Sequence, residues 1–91
     1  MALTEALKAL ECFEKINHQS RKADVIKQIG DIESGLENHE NSITYYKQAI
    51  EAYKKLDEKM YLAYAYTSLG ISYQNLQDYK KAEVNFLKAV E

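Results

Sequence analysis

Apolar residues recur along the whole chain at intervals of three and four positions, the spacing that places them on one face of an α-helix. Leu3, Leu7 and Leu10 follow this pattern near the start, and Ala82 and Phe86 follow it near the end. No stretch shows the sustained alternation of apolar and polar residues that is typical of a β-strand. The chain contains no proline and only 3 glycines, so few residues interrupt a helix. The pattern predicts an all-α protein.

Four residues whose side chains favour the start of a helix divide this pattern. Asn17, Asn38, Asp57 and Asp78 can each accept hydrogen bonds from the free amides of a first helical turn. The connections between the resulting segments are short, so consecutive helices must pack antiparallel. The predicted helices span roughly residues 2–16, 18–34, 39–56, 58–74 and 79–91.

The signals that end the helices recur at a shift of forty residues. Gly35 pairs with Asn75 at this shift, and these are the two residue types that most readily adopt the left-handed conformation beyond a helix end. Gly30 pairs with Gly70 in the same way. A fixed period of this size predicts a helical repeat protein. We divide the single domain 1–91 into a half repeat over 2–16 and two repeats over 18–56 and 58–91.

The second repeat carries aromatic and small residues at a characteristic spacing. These residues are Tyr66, Leu69, Gly70, Tyr73, Ala82 and Phe86. Their spacing resembles the tetratricopeptide repeat pattern, with Tyr66 at the position of the usual tryptophan. The period of forty resembles the longer-helix variant of that family. The resemblance implies antiparallel helical hairpins stacked as a short right-handed solenoid.

The resemblance also implies a role for the two glycines inside helices. In this family, a glycine of the first helix and a small residue of the second helix face each other where the two helices come closest. We therefore expect Gly30 to face Ser42 and Gly70 to face Ala82.

Composition narrows the class of protein further. The 91 residues carry 12 Lys and Arg against 14 Asp and Glu, a net charge of -2, and no basic cluster in the sequence indicates binding to nucleic acid or to a membrane surface. The single cysteine, Cys12, excludes an internal disulfide. Its apolar neighbourhood favours a buried, inert thiol over a nucleophile. No apolar run is long enough to span a bilayer. We expect a cytoplasmic protein.

Residues suited to catalysis or to cofactor binding are scarce. The sequence has no glycine-rich phosphate loop and no nucleophile elbow, and His18 and His39 complete no metal-ligand pattern. We predict neither an enzyme nor a cofactor. Glu33 and His39 both stand where the family usually has aromatic residues. They form either a buried acid–imidazole pair or two rim residues that reach water.

By the resemblance, a concave groove is lined by the faces of each repeat's first helix that turn away from the second helix. Some members of the family bind the terminal carboxylate of chaperones with a lysine and an asparagine one turn apart. Lys27 matches that lysine, but Asp31 replaces the asparagine and would repel a carboxylate. We expect a protein or peptide partner of mixed basic and apolar character. The expected groove residues are Asp24, Lys27, Asp31, Ser34, Tyr64, Thr67, Ile71 and Gln74.

The last helix suggests an alternative function. Val84, Leu87 and Val90 form an apolar stripe apart from the face that packs on the preceding helix, whereas solenoids normally end in a polar capping helix. In one hypothesis the chain is a segment of a longer array, which scaffolds a partner inside a larger regulatory protein. The early stop of the motif at residue 91 favours this hypothesis. In the other, the apolar ends of a complete chain form a homodimer or a filament.

Overall fold

The computed structural model describes residues 2–15 and 19–91, except for the side chains of residues 12–15. These residues form helices and no strand, which confirms the predicted all-α class. The predicted boundary between the first two helices lies outside the described residues together with Asn17 and His18, and so does the side chain of Cys12. The helices are α1 (Ala2–Lys15), α2 (Gln19–Gly35), α3 (His39–Leu56), α4 (Lys59–Asn75) and α5 (Tyr79–Ala89).

Each helix packs against the next one along the chain, and α2 also touches α4. Helices α2 and α3 form one antiparallel hairpin, and α4 and α5 form the second. The two hairpins meet mainly through α3 and α4. The result is a slab with principal extents of 38 × 30 × 14 Å, so both broad surfaces of the helix layer are open to partners.

The two hairpins turn in the same way. Glu37 and Gln77 both have a φ of 64°, the left-handed conformation. In each turn the next residue donates its amide to the carbonyl oxygen five positions earlier, at 2.8 Å in the first hairpin and 2.9 Å in the second. The period of forty residues is therefore present in the backbone as well as in the sequence.

The left-handed residue was expected at Gly35 and Asn75, and this expectation is wrong. Both residues belong to their helices. The amides of Leu36 and Leu76 still donate to the carbonyl oxygen four positions earlier, at 3.0 and 3.2 Å. Each helix therefore continues one residue further, and the chain reverses only at the second residue after Gly35 and Asn75.

The predicted helix starts are confirmed at two positions and wrong at a third. Asp78 is the N-cap of α5, and its side chain accepts from the amide of Lys81 at 3.3 Å. Asn38 is the N-cap of α3, although its side chain makes no cap hydrogen bond. Asp57 instead follows the end of α3 in the left-handed conformation, with a φ of 54°, which aspartate tolerates better than most residues. Glu58 takes the N-cap position of α4.

The apolar core lies between α2, α3, α4 and α5. Ala49 and Tyr53 of α3 and Leu69 of α4 are among its buried members. Phe86 and Ala89 of α5 pack on the core but are only partly buried. The second hairpin is therefore less covered than the first, where α1 packs against α2.

Aromatic rings pack against the two glycines inside helices. A Cβ atom on Gly30 would lie 2.7 Å from the ring of Tyr46, and one on Gly70 would lie 2.7 Å from the ring of Phe86. Each glycine is thus required by a close approach, because a real Cβ atom does not come within 3.0 Å of another side chain.

The small residues expected to face these glycines are both buried. Ser42, the expected partner of Gly30, is fully buried, and its hydroxyl lies 2.8 Å from the hydroxyl of Ser72 on α4. Ala82, the expected partner of Gly70, is buried in the core. That they face the glycines stays a prediction, and the atoms nearest to an added Cβ belong to an aromatic ring one turn further along the second helix.

Candidate functional site

An open pocket of about 350 Å³ lies between α2, α3 and the start of α4. Four of the eight predicted groove residues lie together in its wall: Asp24, Lys27, Asp31 and Tyr64. Three further residues complete the lining, namely Gln28, Tyr53 and Tyr61.

Two matching hydrogen bonds hold the acidic wall of this pocket. The hydroxyl of Tyr53 donates to Oδ1 of Asp24, and the hydroxyl of Tyr46 donates to Oδ1 of Asp31, both at 2.6 Å. The two aspartates are seven residues apart on α2 and the two tyrosines are seven residues apart on α3, so each pair lies on one helix face. Because the helices are antiparallel, the first aspartate meets the second tyrosine.

Burial, and then the hydrogen bond to a carboxylate, raises the pKa of both phenols. The pKa of Tyr46 and that of Tyr53 lie well above the ordinary value of 10.0. Both hydroxyls therefore remain donors at any physiological pH, and they hold the aspartates in one orientation.

The two aspartates differ in how their charge is compensated. Nζ of Lys27 lies 3.1 Å from Oδ2 of Asp31 and neutralises it. Asp24 accepts the Tyr53 hydroxyl, and no cation among the side chains described in 2–11 and 19–91 lies within 4.0 Å of its carboxylate. The pocket wall therefore carries one carboxylate that no described cation pairs.

Tyrosine rings form the other wall. Tyr61 stacks on Tyr53 with ring centroids 5.7 Å apart and an interplanar angle of 22°. Tyr64 meets the edge of Tyr61 at 6.4 Å and 70°. Tyr61 is 43% exposed and Tyr64 is 55% exposed. Aromatic faces next to a carboxylate form an environment that attracts cations.

The other four predicted groove residues lie outside the lining of this pocket. Ser34 is half-buried on α2. Ile71 and Gln74 are exposed on α4. The hydroxyl of Thr67 donates to the carbonyl oxygen of Ala63 within α4 at 3.0 Å. A groove that continues from the pocket along α4 stays a prediction.

Tyr53 and Tyr61 were not among the groove residues predicted from the sequence. The sequence did carry a signal for Tyr53, because Tyr46 and Tyr53 are separated by the same number of residues as Asp24 and Asp31. No comparable spacing marks Tyr61, whose position depends on how α4 begins next to the end of α3.

Glu33 and His39 do not form the acid–imidazole pair. Glu33 is 7% exposed, and Oε2 of its carboxylate accepts from the side-chain amides of Asn38 at 2.9 Å and Asn41 at 3.3 Å. Nδ1 of His39 is buried and has no hydrogen-bond partner within the described part of the chain. Because Glu33 is buried and bonded to two amides, it is not a rim residue that reaches water either.

The described residues offer neither a metal site nor a membrane-spanning helix. No three His, Cys, Asp or Glu residues of that set are grouped so that they could hold a metal ion. None of its helices is both long enough and apolar enough to cross a membrane.

The predicted apolar stripe of α5 is on the surface. Val84 is 49% exposed, Leu87 is 56% exposed and Val90, just beyond the helix, is 83% exposed. Its role as an interface stays a prediction.

Two hairpins with the same turn and the same period, packed side by side with an open pocket between their first helices, define a helical repeat protein. The chain belongs to the tetratricopeptide repeat family, whose family model matches residues 21–91. The predicted half repeat over 2–16 lies outside this match. No curated protein and no solved structure matches the chain. Members of this family generally mediate protein–protein interactions and are typically non-enzymatic scaffolds.

Proposed function

We propose that the chain is a non-catalytic interaction module that binds a basic and apolar segment of a partner protein. The observation that carries this proposal is the carboxylate of Asp24, which has no cation partner among the described side chains and lies in an open pocket next to Tyr53, Tyr61 and Tyr64. The family to which the chain belongs supports a protein as the partner.

An arginine side chain suits this pocket best. Its guanidinium can donate to the carboxylate of Asp24 while its planar face stacks on an exposed tyrosine ring. The charge-assisted hydrogen bond is stronger than a neutral one. The position of Asp24 is already fixed by the Tyr53 hydroxyl, so less ordering is required when the partner binds.

Apolar side chains of the same segment would contact α4 beside the pocket. Met60 is 65% exposed and Ile71 is 44% exposed. Together with Tyr64 they repeat at helical spacing along one face of α4. A segment that combines an arginine with apolar residues therefore complements the pocket and its surroundings.

An acidic chaperone tail does not suit this pocket. Lys27, the one lysine among the described lining residues, is already paired with Asp31, and a terminal carboxylate would face repulsion from Asp24. Micromolar binding of a peptide ending in Glu-Glu-Val-Asp with a free carboxylate, lost in Lys27→Ala, would contradict the proposal.

The test uses a fluorescein-labelled dodecapeptide of arginine and leucine with blocked termini, titrated by anisotropy. We expect Asp24→Asn, which keeps an acceptor for Tyr53, to weaken binding about tenfold. The control Glu83→Gln removes one exposed carboxylate of α5 and should change the affinity less than about twofold. Replacing the arginines of the peptide with glutamine should have the effect of Asp24→Asn. Equal losses in both variants would reject the pocket.

Self-association through α5 is a second candidate function, favoured by the exposure of Val84, Leu87 and Val90. Its test is the molar mass measured by light scattering across a range of concentrations. A dimer that dissociates in Leu87→Glu but persists in the control Lys80→Glu would support this function. A monomer at every concentration would reject it.

A further inference from the structure

A trough between α3 and α5, on the other side of α4, has the opposite charge. The cavity there has a volume of about 310 Å³. Tyr66, Leu69 and Tyr73 of α4 form its floor. These three residues lie nearly opposite to Tyr64 and Ile71 on the helix, by the angle of about 100° per residue. The trough shares no lining residue with the pocket that contains Asp24 and Asp31, called the acidic pocket below.

Each tyrosine ring of the floor lies between two lysines from different helices. Lys47 of α3 and Lys81 of α5 place Nζ 5.9 and 5.6 Å from the centroid of the Tyr73 ring. Lys54 and Lys88 do the same at Tyr66, at 6.0 and 5.7 Å. The two lysines of each helix are seven residues apart, so two turns, or roughly 10 Å, separate them.

The positive charge of the trough is poorly compensated. Nζ of Lys54 lies 3.8 Å from Glu51 and Nζ of Lys81 lies 3.8 Å from Asp78, and pairs this exposed are weak. For Lys47 and Lys88, no carboxylate among the side chains described in 2–11 and 19–91 lies within 4.0 Å of Nζ. A partner can therefore add carboxylates without displacing an existing strong ion pair.

We propose that this trough binds an acidic polypeptide segment, with carboxylates two helical turns apart and an apolar side chain between them. Charge complementarity identifies the partner. The carboxylates meet the two rows of lysines, and the apolar side chain contacts the floor between the tyrosine rings. A lysine that already lies over a ring face keeps its stem in place, which lowers the entropy lost on binding.

A polypeptide fits this surface better than a nucleic acid. The whole chain has a net charge of -2, and its only arginine, Arg21, lies outside the trough. Nucleic-acid surfaces are generally more basic and use arginine to bind phosphates. A phosphate backbone offers no apolar group that could contact the apolar part of the floor, which includes Leu69.

The test measures binding of a labelled, end-blocked 14-residue helical peptide that carries glutamate two turns apart on one face and leucine between them. We expect the double variant Lys47→Glu/Lys88→Glu to weaken binding at least tenfold. The control Lys55→Glu/Lys80→Glu makes the same change in net charge on the same two helices, away from the tyrosine rings, and should stay within threefold of the parent. Ring resonances of Tyr66 and Tyr73 should shift on titration.

Three results would overturn the inference. One is the absence of binding up to millimolar peptide, and another is an equal loss in the control variant. The third is tighter binding of a single-stranded oligonucleotide of similar length, which would assign the trough to nucleic acid. If the Glu double variant loses its helical circular dichroism signal, Lys47→Gln/Lys88→Gln replaces it with the same expected direction. The lysine variants must leave binding of the arginine–leucine peptide unchanged, which separates this inference from the function proposed for the acidic pocket.

Discussion

The hydroxyl oxygens of Ser42 and Ser72 lie 2.8 Å apart in the centre of the protein and join the two repeats. Ser42 also donates to the carbonyl oxygen of His39 at 2.8 Å. A hydroxyl has one hydrogen to donate, so Ser72 is the donor in the bond between the two serines. Both residues are fully buried. Because of this direction, the two serines have unequal roles.

We expect Ser42→Ala to destabilise the protein more than Ser72→Ala. The first change leaves the Ser72 hydroxyl buried without an acceptor, which costs about 1–3 kcal/mol, whereas the second leaves Ser42 bonded to His39 and costs about 1 kcal/mol. Urea unfolding measures both. The double variant should lose less stability than the sum of the two single changes.

Thr44→Ala is the control for this pair, since the Thr44 hydroxyl is exposed and bonds only within its own helix. Its effect should stay within about 0.5 kcal/mol. Equal losses in the two serine variants would show that the hydrogen bond does not have the assigned direction.

The glycine contacts predict a graded series of alanine substitutions. At Gly30 and Gly70 the added methyl group would overlap an aromatic ring, and such overpacking costs about 1–3 kcal/mol. The gain in helix propensity of about 1 kcal/mol opposes it. The Tyr46 ring is held by its bond to Asp31, so we expect Gly30→Ala to be the more costly change.

Gly35→Ala is the matched control for the series. Nothing lies within 4 Å of a Cβ atom at Gly35, and its φ is not positive. This substitution should therefore stabilise the protein by about 0.5–1 kcal/mol. Thermal unfolding orders the three variants. A stabilising Gly30→Ala would contradict the close approach of the ring.

The raised pKa values of Tyr46 and Tyr53 predict a loss of stability at high pH. Above pH 10.0, the ordinary value, the unfolded chain releases protons that the folded state keeps. The free energy of unfolding then falls with rising pH, by up to about 1.4 kcal/mol per pH unit for each tyrosine. Below that pH the contribution of both groups is fully present.

The measurement compares urea unfolding of the parent and of Tyr46→Phe/Tyr53→Phe between pH 8 and pH 11.5. We expect the double variant to be less stable at pH 8 by about 2 kcal/mol, because two hydrogen bonds to carboxylates are lost. The difference should shrink above pH 10. Tyr79→Phe, at a site 62% exposed, serves as the control, and a constant difference across the range would contradict the assignment.

The left-handed turn residues offer a stabilising substitution. Gln77 adopts a φ of 64°, a conformation that costs a residue with a Cβ atom about 1–2 kcal/mol. We expect Gln77→Gly to gain about 0.5–1 kcal/mol after the greater freedom of glycine in the unfolded chain is subtracted. Gln74→Gly, three residues earlier inside α4, should lose about 1 kcal/mol. Losses of similar size in both variants would contradict the turn conformation.

The comparison of the two repeats shows why the sequence predicted the fold well. The polar contact of Tyr46 with Asp31 is replaced forty residues later by Phe86 and Ile71. Both members of the pair change together, so the helix positions are kept while their chemistry differs. The spacing of residues along a helix depends on these positions and not on their chemistry. The period can therefore be found by comparing the two repeats of a single chain.

Side-chain partners were harder to predict. A buried acid–imidazole pair with His39 was one of two predictions for Glu33, but two asparagine amides donate to its carboxylate instead. Helix spacing places residues on a face without fixing which partner reaches them. For the same reason helix spacing placed Asp24 and Asp31 on one face of α2, where both line the pocket, whereas the position of Tyr61 depends on the junction between α3 and α4.

The shared turn at Glu37 and Gln77 has a consequence for tandem growth. A further hairpin with the same turn would place its first helix beside the second hairpin, as α4 lies beside the first. That helix would form the wall of another pocket. A partner whose side chains suit each wall at the matching interval would then engage several walls at once. Its overall affinity would rise through effective concentration, without any single contact becoming stronger.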